Sequence, residues 1–169
     1  MTNSSFGGEL TTETINLNVN GKGWEIYVTF PLEINEAIEN ATSSPDPDKQ
    51  LEAMVARLVQ QEGCTVIRFN ALFYSINPRT GGQNPIGEID IEVGEAIIEV
   101  TTRAKNKSGQ VQKFLTDPWL NMTGKPVILY APNITRGASN AVIKVGGIVA
   151  TDQSQLSQEI QRLRSNSNA

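Results

Sequence analysis

The chain is 169 residues long with a formal net charge of −4, one cysteine and no histidine. That length fits one domain able to bury a substantial core. The missing histidine excludes Ser-His-Asp and Cys-His catalysis, zinc sites built on imidazole and any histidine base, and the single Cys64 excludes a disulfide framework. No apolar run approaches the ~20 residues that a bilayer span needs. The N-terminus lacks the basic and apolar regions of a signal peptide, so the expectation is a soluble, cytoplasmic chain.

Residues 1–13 read as disordered. Ile15, Leu17 and Val19 alternate with polar residues, as do Trp24, Ile26, Val28 and Phe30. With turn chemistry at Asn20-Gly21-Lys22-Gly23 between them, they predict a β-hairpin. A short helix is expected at 33–41. Asp46 and Pro47 then form a cap and first helical position for a helix over 47–62, ended by Gly63, with Leu51, Val55, Leu58 and Val59 as its apolar stripe. Strands follow at about 65–75, 86–93 and 96–102, then a helix at 106–121 and a buried strand at 126–130. A helix near 135–142, a strand near 143–150 and a helix near 153–164 complete the chain. The order α-β-β-β-α-β over 47–131 predicts a mixed central sheet flanked by helices, an α/β (α+β) fold. The division expected is an N-terminal extension with the hairpin at 1–45 and a main domain at 46–169.

The segment Glu88-Ile89-Asp90-Ile91-Glu92-Val93 alternates strictly. Ile89, Ile91 and Val93 are expected on one side, and Glu88, Asp90 and Glu92 on the other. A type II′ turn at Gly94-Glu95 would pair Val93 with Ala96, Glu92 with Ile97, Ile91 with Ile98 and Asp90 with Glu99. Two carboxylates directly opposite destabilise a hairpin unless a cation lies between them or one is protonated. A divalent ion is the economical explanation. With only oxygen ligands on offer, Mg²⁺ or Mn²⁺ is expected, Ca²⁺ being the other hard cation of that class. The alternative is a solvent-facing hairpin one residue out of register, with its carboxylates wet. Glu52 borders the apolar stripe of its helix and adds a third acid.

Charge is unevenly spread. Residues 1–100 carry 5 basic and 15 acidic side chains, and residues 101–169 carry 9 and 3. Such a chain can present a cationic face despite its acidic total.

A helix bearing Glu52, then Gly87-Glu88-Ile89-Asp90, then Ile98-Glu99-Val100-Thr101, then a helix carrying Lys and Gln resembles the PD-(D/E)XK nuclease superfamily over residues 47–131. The resemblance implies an αβββαβ core in which Asp90 and Glu99 bind metal, helped by the Val100 carbonyl, with Glu52 assisting. It also implies that Lys107, Gln110 and Lys113 meet the phosphate backbone. The pattern departs at Thr101, where the family carries lysine. Arg103, Lys105 and Lys107 are the candidates to return that cation, and Thr101 could hydrogen-bond the attacking water. Thr at this place, and Gly124-Lys125-Pro126-Val127-Ile128 before a buried strand, are similar to nuclease domains of bacterial contact-dependent toxins. The expectation is thus a metal-dependent hydrolase of DNA or RNA, with Lys113, Lys125, Arg136 and Lys144 along the backbone path. An inhibitor or immunity protein and a second copy of the chain are further candidate partners. Two rivals remain: a catalytically degenerate nuclease fold serving binding or assembly, and an acidic N-terminal half acting as a partner surface.

Overall fold

The structure is a computed structural model that describes residues 9–167. The expected disorder at 1–8 lies outside the described residues, whereas residues 10–13 are ordered within the first strand. The elements in chain order are β1 (Leu10–Val19), β2 (Lys22–Pro31), α1 (Ile34–Thr42), α2 (Pro47–Gln61), β3 (Val66–Ile76), β4 (Gln83–Val93) and β5 (Ile97–Val100), followed by α3 (Ser108–Thr116), β6 (Val127–Tyr130), α4 (Arg136–Lys144), β7 (Ile148–Ala150) and α5 (Gln153–Ser167). The αβββαβ order is present from α2 to β6. The helix expected at 106–121 is shorter, because Asp117-Pro118 ends it.

The seven strands form one sheet in sequence order, β1 to β7. The pairs from β1 to β5 are antiparallel, and β5–β6 and β6–β7 are parallel. The N-terminal hairpin turns through Asn20 at φ 54° and Gly21 at φ 79°, the two left-handed residues that a type I′ turn requires. Its second strand pairs with β3 through Tyr27, Val28 and Thr29, so the hairpin extends the main sheet. The rings of Tyr27 and Tyr74 stack across that seam with centroids 5.6 Å apart.

Both faces of the sheet are covered. One core joins α1, α2 and α5 to the sheet through Ile38, Val55, Phe69, Ile91, Ile98, Ile128 and Leu156. The other joins α3 and α4 to it through Val28, Phe73, Ile89, Ile97, Val111, Phe114 and Val142.

Two local expectations are corrected. Gly94 does not adopt the positive φ that a type II′ turn needs, although the register it was meant to set is present as Ile91 with Ile98 and Glu92 with Ile97. The strict alternation of β4 also breaks. Ile91 packs in the first core but Ile89 in the second, and their partners Phe69 and Ala71 divide the same way. A regular strand keeps i and i+2 on one face. The reversal centres on Asn70, at φ 54°, and on Asp90 opposite it, and the ladder omits that pair.

Lys125 is also reassigned. Its ammonium donates to Glu92 at 2.7 Å and to the Val93 carbonyl at 2.9 Å, while Arg68 reaches Glu92 at 2.8 Å. Asn121 clamps the Lys125 backbone in both directions, and Gly124 turns at φ 69° beside it. The Gly124-Lys125 motif therefore anchors the entry to β6, and Lys125 is not placed to follow a nucleic-acid backbone. Glu92→Leu leaves two partly buried cations without their shared acid, Arg68 keeping Glu13 and Lys125 the Val93 carbonyl, and is expected to cost about 2 kcal/mol, measured as a lower midpoint in denaturant unfolding.

Candidate active site

The first turn of α2 is set by Asp46, whose side chain accepts from the Asp48 N–H at 2.9 Å, with Pro47 at the first helical position. The buried face of the helix is Glu52, Ala53, Val55, Ala56 and Val59, while Leu51 and Leu58 are only partly buried. The leucine–valine stripe read from the sequence is thus rotated. Two alanines let the helix lie close on the sheet, and Glu52 is carried inward until it is 4% exposed.

Glu52 arrives where β4 and β5 part. Beyond Ile91 and Ile98 the two strands exchange side-chain bonds instead of ladder bonds. The Asp90 N–H donates to Glu99 Oε2 at 2.9 Å, and the Val100 N–H donates to Asp90 Oδ2 at 2.9 Å. From α3, the Gln110 amide donates to Glu99 Oε1 at 3.0 Å. Asp90 and Glu99 are therefore brought together, held by reciprocal capping at the open end of the ladder.

The result is a cleft of about 280 Å³ lined by Asp48, Lys49, Glu52, Glu88, Asp90 and Glu99, with Val100, Thr101, Arg103, Lys107 and Gln110 also on its wall. Burial is the main force raising the Glu52 carboxyl, with the charge of Asp90 second, and it is pushed up to about 9. The Asp90 carboxyl is raised because burial outweighs the hydrogen bonds that favour its charge. The Glu99 carboxyl is held well above the ordinary range by burial and then by Asp90. Three acids in one desolvated site cannot all ionise without a neighbouring cation.

Of the residues singled out in the sequence, Glu52, Asp90, Glu99, Val100, Thr101, Lys107 and Gln110 line the cleft, as does Arg103. Lys105 does not. It is exposed in the loop after β5, where strand parity has ended. Lys113 does not either, because its ammonium donates to the Ile86 carbonyl on β4. Thr101 is buried, and its hydroxyl oxygen accepts from the Arg103 N–H at 3.1 Å. Arg136 and Lys144 lie on α4, outside the cleft wall.

Two contributors were missed. Lys49 lies 3.4 Å from Glu52 Oε2, one helical turn earlier on the same face. Asp48 accepts from both the N–H and the hydroxyl of Thr102, at 2.9 and 2.8 Å, tying the loop after β5 to α2. The i, i+3 spacing of Lys49 and Glu52 was the signal for the first. Nothing local signalled the second.

Among the described residues, no group of three or more His, Cys, Asp or Glu side chains is arranged to hold a metal ion. The donor set nevertheless suits a hard cation at the level of chemistry: its candidate ligands are all oxygens, and buried Glu52 Oε2 makes an ion pair with Lys49 but no hydrogen bond. No helix is long and apolar enough to cross a membrane among the described residues.

No family model and no curated protein matches the chain. Among solved structures it is similar to protein VC1899 from Vibrio cholerae, with a TM-score of 0.53 and 14% sequence identity over 88% of this chain. The match spans 40% of that protein's length, and the likeness is one of fold.

The raised carboxyls fix a pH dependence. Between the unfolded value of about 4.3 for glutamate and the folded value of Glu52, the folded chain holds protons that the unfolded chain has released. With chelator present, stability is expected to fall as pH rises from about 4.5 to about 9, the folded value of Glu52. Thermal unfolding across that range checks it, and Glu52→Gln should flatten the slope.

Proposed function

We propose that the chain is a metal-dependent nuclease that hydrolyses phosphodiester bonds of DNA or RNA at the cleft around Asp90, Glu99 and Glu52. The observation that supports this most is the reciprocal capping of Asp90 and Glu99 with Glu52 buried beside them. It is a costly arrangement for a purely structural hairpin, and a divalent cation would relieve it. Asp90, Glu99 and the Val100 carbonyl are the candidate ligands. Mg²⁺ or Mn²⁺ bound there would lower the pKa of a water molecule and neutralise charge on the scissile phosphate.

The remaining groups act as holders. Gln110 fixes the rotamer of Glu99 through Oε1. Thr101 accepts from Arg103, so its own O–H is left to donate within the cleft that it lines. Asp48 holds the loop that presents Thr101 and Arg103. Lys107 and Arg103, on the cleft wall, offer positive charge to an anionic polymer in a salt-dependent way. Nucleic acid is the partner that this reading requires.

A second reading, a degenerate nuclease fold kept for binding, is favoured by one observation: Thr101 occupies the place where the resembling family carries lysine.

Supercoiled plasmid DNA and total RNA, each with Mg²⁺, Mn²⁺ or EDTA, separate the two. The nuclease reading predicts metal-dependent cleavage of at least one substrate, reduced at least ~100-fold by Asp90→Asn. A folded wild-type chain that cleaves neither supports the binding module.

A further inference from the structure

A phosphodiester entering this cleft meets Glu52, Asp90, Glu99 and Glu88 on the wall. A cation beyond any bound metal is needed to offset that field at the phosphate oxygens. Thr101 cannot provide it. Arg103 and Lys107 line the cleft from the loop after β5, and both act on the carboxyl of Asp48 at its rim. Lys49 stands differently. Its ammonium is 3.4 Å from Glu52 Oε2, its side chain keeps 28% of its surface exposed, and it lines the same cleft as the acids.

What holds Lys49 is unusual. Its ammonium donates to Asn70 Oδ1 at 3.1 Å. Asn70 sits in the body of β3, opposite Asp90, with a left-handed backbone at φ 54° that a non-glycine residue rarely adopts. Asn20, the other such residue among those described, is explained by its turn. Asn70 is in no turn, and its Nδ2 is buried without a hydrogen-bond partner. Lysine is a donor only, so the amide must present its oxygen to Lys49, and the orphaned Nδ2 is the consequence. A strained backbone and an unsatisfied donor both weaken the fold, and both serve the placement of one ammonium group beside the acids.

We propose that Lys49 is the catalytic cation of this site, binding a non-bridging oxygen of the scissile phosphate, and that Asn70 is the positioning residue that holds it there. The proposal rests on the nuclease reading. In the hydrolysis, a water oxygen forms a bond to phosphorus and the bond from phosphorus to one ester oxygen breaks. The water gives up a proton to solvent, and the leaving oxygen takes one up. Lys49 transfers no proton. It remains an ammonium and offsets the charge that grows on the phosphate oxygens. The lysine is thus supplied by a different element from the one that carries Glu99, and Thr101 is no longer a sign of lost activity.

The test uses the full chain with plasmid DNA and total RNA in Mg²⁺ or Mn²⁺, comparing wild type with K49M, K49R, N70G, R103A and K107A. Glycine at position 70 keeps the left-handed backbone and removes only the amide. The proposal predicts that K49M lowers kcat by ~100-fold, that K49R recovers part of it, and that N70G lowers kcat by roughly 10-fold without a further loss in the K49M background. Mn²⁺ affinity, measured by calorimetry, stays equal or tightens in K49M, because a competing cation has left. R103A and K107A change KM and salt sensitivity more than kcat. The proposal is overturned if K49M turns over at the wild-type rate, if it loses Mn²⁺ binding together with cleavage, or if the N70G and K49M effects simply add. Cleavage lost only in R103A or K107A overturns it while leaving the nuclease reading intact. A wild-type chain that cleaves neither substrate removes both.

Discussion

The site depends on a hydrogen-bond ladder that stops one step early. β4 and β5 pair through Ile91–Ile98, and the next N–H groups on each strand turn to the opposing acid. Each carboxylate thereby fills a place that a backbone carbonyl would otherwise take, and the two acids are fixed by the polar backbone that they satisfy. They cannot withdraw from one another without leaving a partly buried N–H unpaired. The two acids are thus held together in a desolvated place: burial raises both carboxyls, and the charge of Asp90 raises Glu99 further.

Around that point the two faces of the sheet contribute different things. α2, packed through Ala53 and Ala56, brings Glu52 and Lys49 from one side. α3 brings Gln110 from the other. The reversal at Asn70 and Asp90 lies between the two cores, which lets one residue of a buried strand serve a cleft reached from both layers. The Arg68–Glu92–Lys125 network is separate from this: its acid is fully paired, so it ties β3, β4 and the entry to β6 together.

Much of this was legible in the sequence. The αβββαβ order, the Asp46-Pro47 helix start and the Ile91–Ile98 register follow from local capping and hydrophobic period, which are short-range signals. The meeting of Asp90 and Glu99 followed from the register. The illegible features were those set by tertiary packing. The alternation of 88–93 gave no sign of the reversal, because Asn70, the left-handed residue opposite Asp90 at its centre, lies in another strand. Glu52 read as a rim residue because larger side chains outweigh alanine in a hydrophobic stripe, although alanine is what permits close approach. Lys125 and Lys113 read as free cations because their partners, Glu92 and the Ile86 carbonyl, are distant in sequence. Lys49 was passed over for the lysines that follow Glu99 in the chain.

The nuclease proposed here requires that Asp90 and Glu99 bind a divalent cation. That requirement is tested most directly by titrating Mn²⁺ into the metal-free chain by calorimetry, beside Asp90→Asn and Glu99→Gln with folding verified. The expected result is saturable binding by the wild type that weakens by at least ~10-fold in each variant, with protons released on binding because raised carboxyls must ionise. Binding of equal strength in all three chains, or none in the wild type, would contradict it.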